Sequence, residues 1–169
     1  SEVKKIMEFA KDNNLFFFDT AQDYGNSEEI LGKYLRYFSN PKVITKLSND
    51  KKASYSNDDV AFWENSFSKS LNKLNLKRID SFLIHDVNAL KKDGNDILKK
   101  WLQSLLERGL INRLGISIYD ASDLKGILFD DIKLVQLPLS IYDQRMIRNG
   151  TIEFLQSKNI AIHARSIFF

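Results

Sequence analysis

Four residues able to donate or accept protons lie at or just beyond the ends of short apolar runs. Asp19 and Tyr24 belong to FFFDTAQDYG, Lys46 ends KVITK and His85 ends IDSFLIH. Carboxylate, phenol, ammonium and imidazole groups are the usual participants in general acid–base chemistry. When such groups follow successive buried strands of a parallel sheet, they gather at one edge of that sheet. The pattern therefore predicts an enzyme active site.

Composition predicts an ordinary globular protein and argues against several classes. The 169 residues are enough for one domain, placed at 1–169, with 43% hydrophobic and 28% charged residues. The net charge of +3 comes from dispersed lysines, unlike the clustered basic face of a nucleic-acid-binding protein. No apolar run approaches the ~20 residues of a membrane span, and the N-terminus does not resemble a signal peptide. We expect a cytoplasmic protein with no nucleic-acid or membrane partner.

The scarcity of metal ligands argues against a metal site. The sequence has no cysteine and only two histidines, His85 and His163, and no carboxylate lies at ligand spacing from both. The absence of cysteine also excludes disulfides and a thiolate nucleophile. Because side chains alternate along a strand, His163 is predicted to point into the interior of the sheet, and we interpret it as a core residue.

Helical and strand patterns alternate along the whole chain. The apolar spacing predicts a helix over 3–10, a helix beginning after Asn26 with Glu29 at capping-box spacing, and a long helix over 60–74. Further helices are expected over 95–108, ending at Gly109, from the Asp120 cap through Leu128, and over 150–158. Strands are expected at 15–20, 42–46, 79–85, 113–117, 132–137 and 159–165.

This alternation predicts a parallel sheet covered by helices. Side chains alternate across a strand, so Asp19 shares its face with Phe17, Lys46 with Ile44, and His85 with Leu83. An open doubly wound sheet is expected to carry a glycine-rich phosphate turn, and this sequence has none. A barrel is therefore favoured over an open sheet.

Each candidate residue also has a structural interpretation. Asp19 fits a turn or helix cap, Tyr24 a loop anchor and Lys46 a solvated strand end. His85 fits a hydrogen-bonded pair with Asp86. Their occurrence together at successive strand ends favours the functional interpretation.

The motif DTAxxYGxSExxLG over 19–32, the lysine ending the next strand, LIH, LGIS and VQLP together resemble the aldo-keto reductase family. The closing HARSIF is similar to bacterial members. This resemblance implies a (β/α)₈ TIM barrel, of which six βα units, corresponding to strands two to seven, are expected here. It also implies NAD(P)H-dependent reduction of small-molecule carbonyl compounds to alcohols, with NADPH as the expected cofactor and NADH possible.

The resemblance also assigns roles to the four residues. Tyr24 matches the general acid that protonates the nascent alkoxide, and Lys46 matches the cation expected to ease that transfer. Asp19 matches the carboxylate that pairs with the lysine. His85 matches the residue that orients the carbonyl oxygen and donates to the developing charge.

The expected cofactor residues follow later strands. Ser117 and Gln136 match family residues that hydrogen-bond the nicotinamide carboxamide, although Ile118 replaces the asparagine common after that serine. Arg165 stands where many members have an aromatic residue stacked on the nicotinamide, and a guanidinium can stack or bind an anion. Ser166 matches a serine near the pyrophosphate.

The sequence leaves several alternatives open. Six strands are fewer than the eight of a closed barrel, so we expect a fragment with two open edges, prone to self-association and impaired in cofactor affinity. One alternative function is an inactive reductase-like module for binding or assembly. Another is a Schiff-base aldolase using Lys46. Rim residues Arg145, Tyr119 and Tyr142 are candidate substrate contacts.

Overall fold

The computed structural model describes residues 2–127 and 130–168, in which helices and parallel strands alternate. The strands are β1 Phe17–Asp19, β2 Lys42–Leu47, β3 Ile79–Ile84, β4 Ile111–Ser117, β5 Ile132–Pro138 and β6 Ala161–Arg165. The α-helices are α1 Glu2–Asp12, α2 Ser27–Leu35, α3 Asp58–Leu74, α4 Asn95–Glu107, α5 Arg145–Arg148 and α6 Thr151–Ser157. Short 3₁₀ helices cover Val87–Lys91 and Ala121–Leu124.

The strands of this described part form one parallel sheet in the order β1-β2-β3-β4-β5-β6. Each strand pairs with the next strand along the chain, as in a barrel built from successive βα units. The sheet curls into part of a (β/α)₈ barrel. The predicted fold class and strand sequence are confirmed.

The two faces of the sheet carry different cores. The outer face packs against the helices through a large cluster that includes Trp63, Phe67, Phe82 and Trp101. Burial of such side chains stabilises the fold by about 1.5–3 kcal/mol each. The inner face carries a separate small cluster of Ile44, Leu83 and Leu134, with Ala161 against it.

This division confirms the predicted strand parity. Ile44 and Leu83, expected on the same face as Lys46 and His85, are the residues of the inner cluster. Because β2 is in register with β3, Lys46 also lies opposite Leu83. The inward residues at the carboxyl ends of the strands therefore converge on one rim of the curled sheet.

Several local predictions need correction. Asn26 makes no side-chain capping bond, so the predicted capping box at α2 is wrong; the Asn26 backbone has φ −97° and ψ 13° rather than the extended conformation typical of a capping residue. Asp120 does cap a helix, accepting the backbone N–H of Ser122, but the helix is a 3₁₀ turn that ends at Leu124. The predicted end at Leu128 lies outside the described residues. The first strand is also shorter than predicted, and the helix over Arg145–Arg148 was not predicted.

Helix ends follow the expected backbone chemistry. Asn75 follows α3 in the left-handed conformation, with φ 55°, and its N–H donates to the carbonyl groups of Leu71 and Asn72. Gly109 has φ 66° just beyond α4, as predicted from the sequence. In the ranges described, no helix combines the length and the apolar character needed to cross a membrane.

Gly32 allows α2 and α3 to approach each other closely. A Cβ added at Gly32 would overlap the backbone carbonyl oxygen of Lys73 and crowd Leu74.

We expect Gly32→Ala to destabilise the protein by about 3 kcal/mol, because the two helices must move apart. Gly109→Ala is the matched control: its Cβ meets no atom within 4 Å, so only backbone strain of about 1 kcal/mol is expected. Urea unfolding measures both, and equal losses would contradict the close-packing explanation.

Candidate active site

Asp19 and Lys46 form an ion pair where β1 and β2 end. Lys46 is only 1% exposed, and its Nζ lies 2.8 and 2.9 Å from the two carboxylate oxygens of Asp19. The same Nζ donates to the carbonyl oxygen of Thr20 at 2.8 Å. An ammonium group has three donors, and these three oxygen atoms are its acceptors. Lys46 is therefore not a solvated residue at the end of a strand.

Burial and charge act in opposite directions on Lys46. Burial lowers the pKa of the ammonium group, since it removes water from the charged form. Asp19 opposes that shift through its charge and hydrogen bonds, while Arg165 lowers the pKa of Lys46 further. The Asp19 carboxylate thus opposes part of the effect of burial on the pKa of Lys46.

Gln136 extends this pair to the far side of the sheet. Its Nε2 donates to Asp19 Oδ1 at 3.0 Å, although the two residues are far apart in the sequence. Ser117 lies opposite Gln136 in the register of β4 and β5, and both side chains are nearly buried. The two residues expected to bind the nicotinamide carboxamide therefore lie side by side, next to the ion pair.

Tyr24 lies on the loop between β1 and α2, against both Lys46 and His85. Its ring centroid is 5.2 Å from Lys46 Nζ and 5.7 Å from the centre of the His85 ring, with the two rings at 79°. The Tyr24 side chain remains 48% exposed. The phenol is therefore accessible from the open side of the rim.

The electrostatic effect on Tyr24 differs from the sequence-based expectation. Its pKa is raised, first by partial burial and then by the negative charge of Asp19, although Arg165 lowers it. A neighbouring lysine alone would lower the pKa of a phenol. Here burial and the charge of Asp19 outweigh the opposing charge of Arg165, so the pKa of the phenol lies above its ordinary value and the phenol is protonated at neutral pH. Tyr24 is thereby held in the form that can donate.

His85 directly follows β3 and contacts Asp23 rather than Asp86. Its Nδ1 lies 3.4 Å from Asp23 Oδ2, and its side chain is 15% exposed. Asp86 instead accepts the backbone N–H of Asn88 at the start of a 3₁₀ helix. The alternative that paired His85 with Asp86 is therefore wrong.

Arg165, the last residue of β6, packs on Tyr119. Its Cζ lies 4.1 Å from the centre of the Tyr119 ring, and Nη2 donates to the carbonyl oxygen of Ile118 at 3.1 Å. Its Nε is buried and has no hydrogen-bond partner. Ser166 follows in a left-handed conformation, with φ 57°, and is exposed. The guanidinium is thus fixed at the rim with an unused donor.

The other candidate residues lie outside this group. His163 is partly buried, its ring is nearly perpendicular to that of Phe17 at a centroid distance of 6.2 Å, and burial lowers its pKa. Arg145 pairs with Asp143 at 3.0 Å and with Asp120 at 3.6 Å. In the described residues, no group of three or more potential ligands could hold a metal ion.

The sequence analysis missed two residues that hold the Tyr24 loop. Gln22 Oε1 accepts the Ser48 N–H at 2.9 Å and the Ser66 hydroxyl at 3.0 Å, while its Nε2 donates to Ser70 at 3.0 Å. Asp23 Oδ2 accepts the Asn49 N–H at 2.9 Å. Both residues occupy the variable positions of the DTAxxYG motif, so only their polarity beside Tyr24 gave a signal.

Known proteins similar to this chain are reductases and dehydrogenases. D-arabinose 1-dehydrogenase of Saccharomyces cerevisiae is 26% identical over 186 residues, covering 94% of this chain and 54% of the yeast protein. The NADPH-dependent D-xylose reductase of Meyerozyma guilliermondii is 28% identical over 182 residues, covering 89% of this chain and 55% of the reductase. The chain thus spans about half the length of these curated relatives.

Solved structures show the same fold. An aldo-keto reductase from Bacillus halodurans superposes with a TM-score of 0.78 at 21% identity, covering 95% of this chain and 55% of that structure. An aldo/keto reductase from Brucella melitensis superposes with a TM-score of 0.71 at 24% identity, covering 99% of this chain and 64% of that structure. At these identities the likeness concerns the fold.

Replacing Asp19 tests the electrostatic balance at Lys46. We expect the pKa of Lys46 to fall further in Asp19→Asn, because the charge that opposes the burial effect is removed. The shift is measured by titrating the Cε resonance of ¹³C-labelled lysine. Gln136→Leu is the matched control, since it removes a hydrogen bond to the same carboxylate without changing charge. An unchanged Lys46 titration in Asp19→Asn would contradict this account.

The family model described as the aldo/keto reductase family matches residues 1–168, nearly the whole chain. That match agrees with the resemblance carried by 19–32 and by the later strand ends. The chain belongs to the aldo/keto reductase family.

Proposed function

We propose that the protein reduces a carbonyl compound to an alcohol with NADPH, using Tyr24 as the proton donor. The observation that carries this proposal is the ion pair of the buried Lys46 with Asp19, which lies beside Tyr24, whose ring also contacts His85. The relatives named above are a reductase and a dehydrogenase, which favours this activity over a binding module without catalysis.

The residues around the ion pair fit a nicotinamide cofactor. Ser117 and Gln136 offer adjacent hydrogen-bonding groups of the kind a carboxamide needs. The buried and unpartnered Nε of Arg165 is a donor that lacks an acceptor, and a guanidinium suits an amide or phosphate oxygen. We propose Ser117, Gln136, Arg165 and Ser166 as the cofactor-binding residues. When bound, the reduced nicotinamide supplies the hydride; the name of the xylose reductase favours NADPH, and NADH remains a second candidate.

The four rim residues then handle the proton and the developing charge. Tyr24 gives its phenolic proton to the carbonyl oxygen, in the protonated form that its raised pKa maintains. Lys46 places a positive charge beside the phenolate that results, and Asp19 keeps that charge in place. His85, whose ring contacts that of Tyr24, orients the carbonyl oxygen.

The substrate is proposed to be a small polar carbonyl compound. Two relatives are named for the sugars arabinose and xylose. The rim beside Tyr24 carries polar side chains, among them Asp23, Tyr119 and Arg165, which suit hydroxylated substrates. An aldose is therefore the first substrate class to assay.

Tyr24→Phe should lower the rate of NADPH oxidation with aldehydes by about 10²- to 10⁴-fold, because the proton donor is lost. The affinity for NADPH, measured by fluorescence titration, should be unchanged. Tyr37→Phe is the matched control: Tyr37 follows α2 and its hydroxyl accepts from Arg36. The assigned role of Tyr24 is wrong if both variants retain the wild-type rate.

Arg165→Met should weaken NADPH binding about 10-fold or more, since a charged hydrogen-bond donor is removed. Arg145→Met is the control, because it removes the same charge from a residue engaged by Asp143 and Asp120. Fluorescence titration at fixed ionic strength compares the two. Equal weakening would mean that net charge, rather than a contact by Arg165, sets the affinity.

A further inference from the structure

One ring nitrogen of His85 has an unusual environment. Nδ1 is buried and has no hydrogen bond in the present geometry, yet a carboxylate oxygen of Asp23 lies 3.4 Å away. A buried polar atom without a hydrogen-bond partner is unfavourable, because it has lost its bonds to water. Contacts of this kind in an unliganded site often shorten when the site is filled. Asp23 is thus the acceptor placed to satisfy Nδ1.

The position of Asp23 is itself fixed. Its Oδ2 accepts the backbone N–H of Asn49 at 2.9 Å, which ties the carboxylate to the segment following β2. Gln22, the preceding residue, is held by Ser48, Ser66 and Ser70. A carboxylate oxygen has two lone pairs, so Oδ2 can accept from both Asn49 and His85.

We propose that Asp23 is a positioning residue that keeps the proton of His85 on Nδ1 and fixes the direction of its ring. An unprotonated Nδ1 would point a lone pair at the carboxylate, whereas a protonated Nδ1 donates to it. The tautomer with hydrogen on Nδ1 is therefore selected. Only the effect on turnover rests on the proposed function. The tautomer of His85 follows from the contact between Nδ1 and the carboxylate of Asp23.

This arrangement has a definite consequence for Nε2, the other ring nitrogen. With Nδ1 protonated, the neutral ring presents a lone pair at Nε2 and can only accept there. His85 donates from Nε2 to a carbonyl oxygen only when the ring carries two protons. Asp23 thereby decides which nitrogen of the neutral ring carries hydrogen, and so whether Nε2 can donate.

The test is ¹⁵N NMR of the side chain of His85 in the intact ¹⁵N-labelled protein across a pH titration. We expect Nδ1 to keep its proton throughout, while Nε2 changes from the protonated to the unprotonated type. In Asp23→Leu, the neutral ring should shift toward the tautomer with hydrogen on Nε2. Asp23→Asn retains an acceptor oxygen, so it should restore the Nδ1–H tautomer. A wild-type protein in which Nδ1 loses its proton would overturn the proposal.

Gln22→Met is the matched control, since Gln22 anchors the same loop without contacting His85. It should leave the tautomer of His85 unchanged. The same tautomer shift in Gln22→Met and Asp23→Leu would show that loop order, rather than the carboxylate, controls His85, and would also overturn the proposal.

Kinetics distinguish this inference from the proposed function. Asp23→Leu should change the pH profile of kcat, because its neutral His85 ring can donate from Nε2 whereas the neutral ring of the wild-type protein cannot, while the Kd for NADPH stays within about twofold, as expected for a role confined to the carbonyl side. If the NMR result holds but Tyr24→Phe is fully active, the proposed function fails and the positioning of His85 stands. If Asp23→Leu alters the tautomer without affecting kcat, the link to turnover fails.

Discussion

The burial of one ammonium group constrains the arrangement of the whole rim. Lys46 has almost no exposed surface, and a buried, unpaired charge costs several kcal/mol. Its acceptors come from Asp19 at the end of β1 and from the following Thr20 carbonyl. Gln136, from the far side of the sheet, then engages the same carboxylate. The ion pair therefore requires β1, β2 and β5 to hold their register, and the curl of the sheet brings their ends together.

The alternation of side chains supplies that register. Apolar residues fill the inner face one layer below the rim, and the polar residues follow two positions further along each strand. The same alternation sends the other set of apolar residues outward against the helices. A shift of one residue in any strand would exchange its two faces, so hydrophobic packing and the site geometry are fixed by the same constraint.

The charged residues of the rim shift one another's pKa values in opposite directions. Asp19 opposes the lowering of the Lys46 pKa by burial, and burial together with the same carboxylate raises the pKa of Tyr24. Arg165 acts in the opposite direction on Tyr24. Asp23 places a second carboxylate beside His85. The pKa values of Lys46 and Tyr24 thus depend on neighbours from other strands and loops.

The βα alternation, the parallel sheet, the strand parity and the family could be predicted from the sequence, because apolar periodicity and local motifs record them directly. It also predicted that Asp19, Tyr24, Lys46 and His85 would lie together, since each lies at or just beyond a strand end, and the structure brings them together. The pairing of His85 with Asp23 and the raised pKa of Tyr24 were decided by the tertiary structure, as was the packing of Arg165 on Tyr119. These depend on distances between residues on different elements, and on how burial and opposing charges sum at one point, which no local pattern encodes.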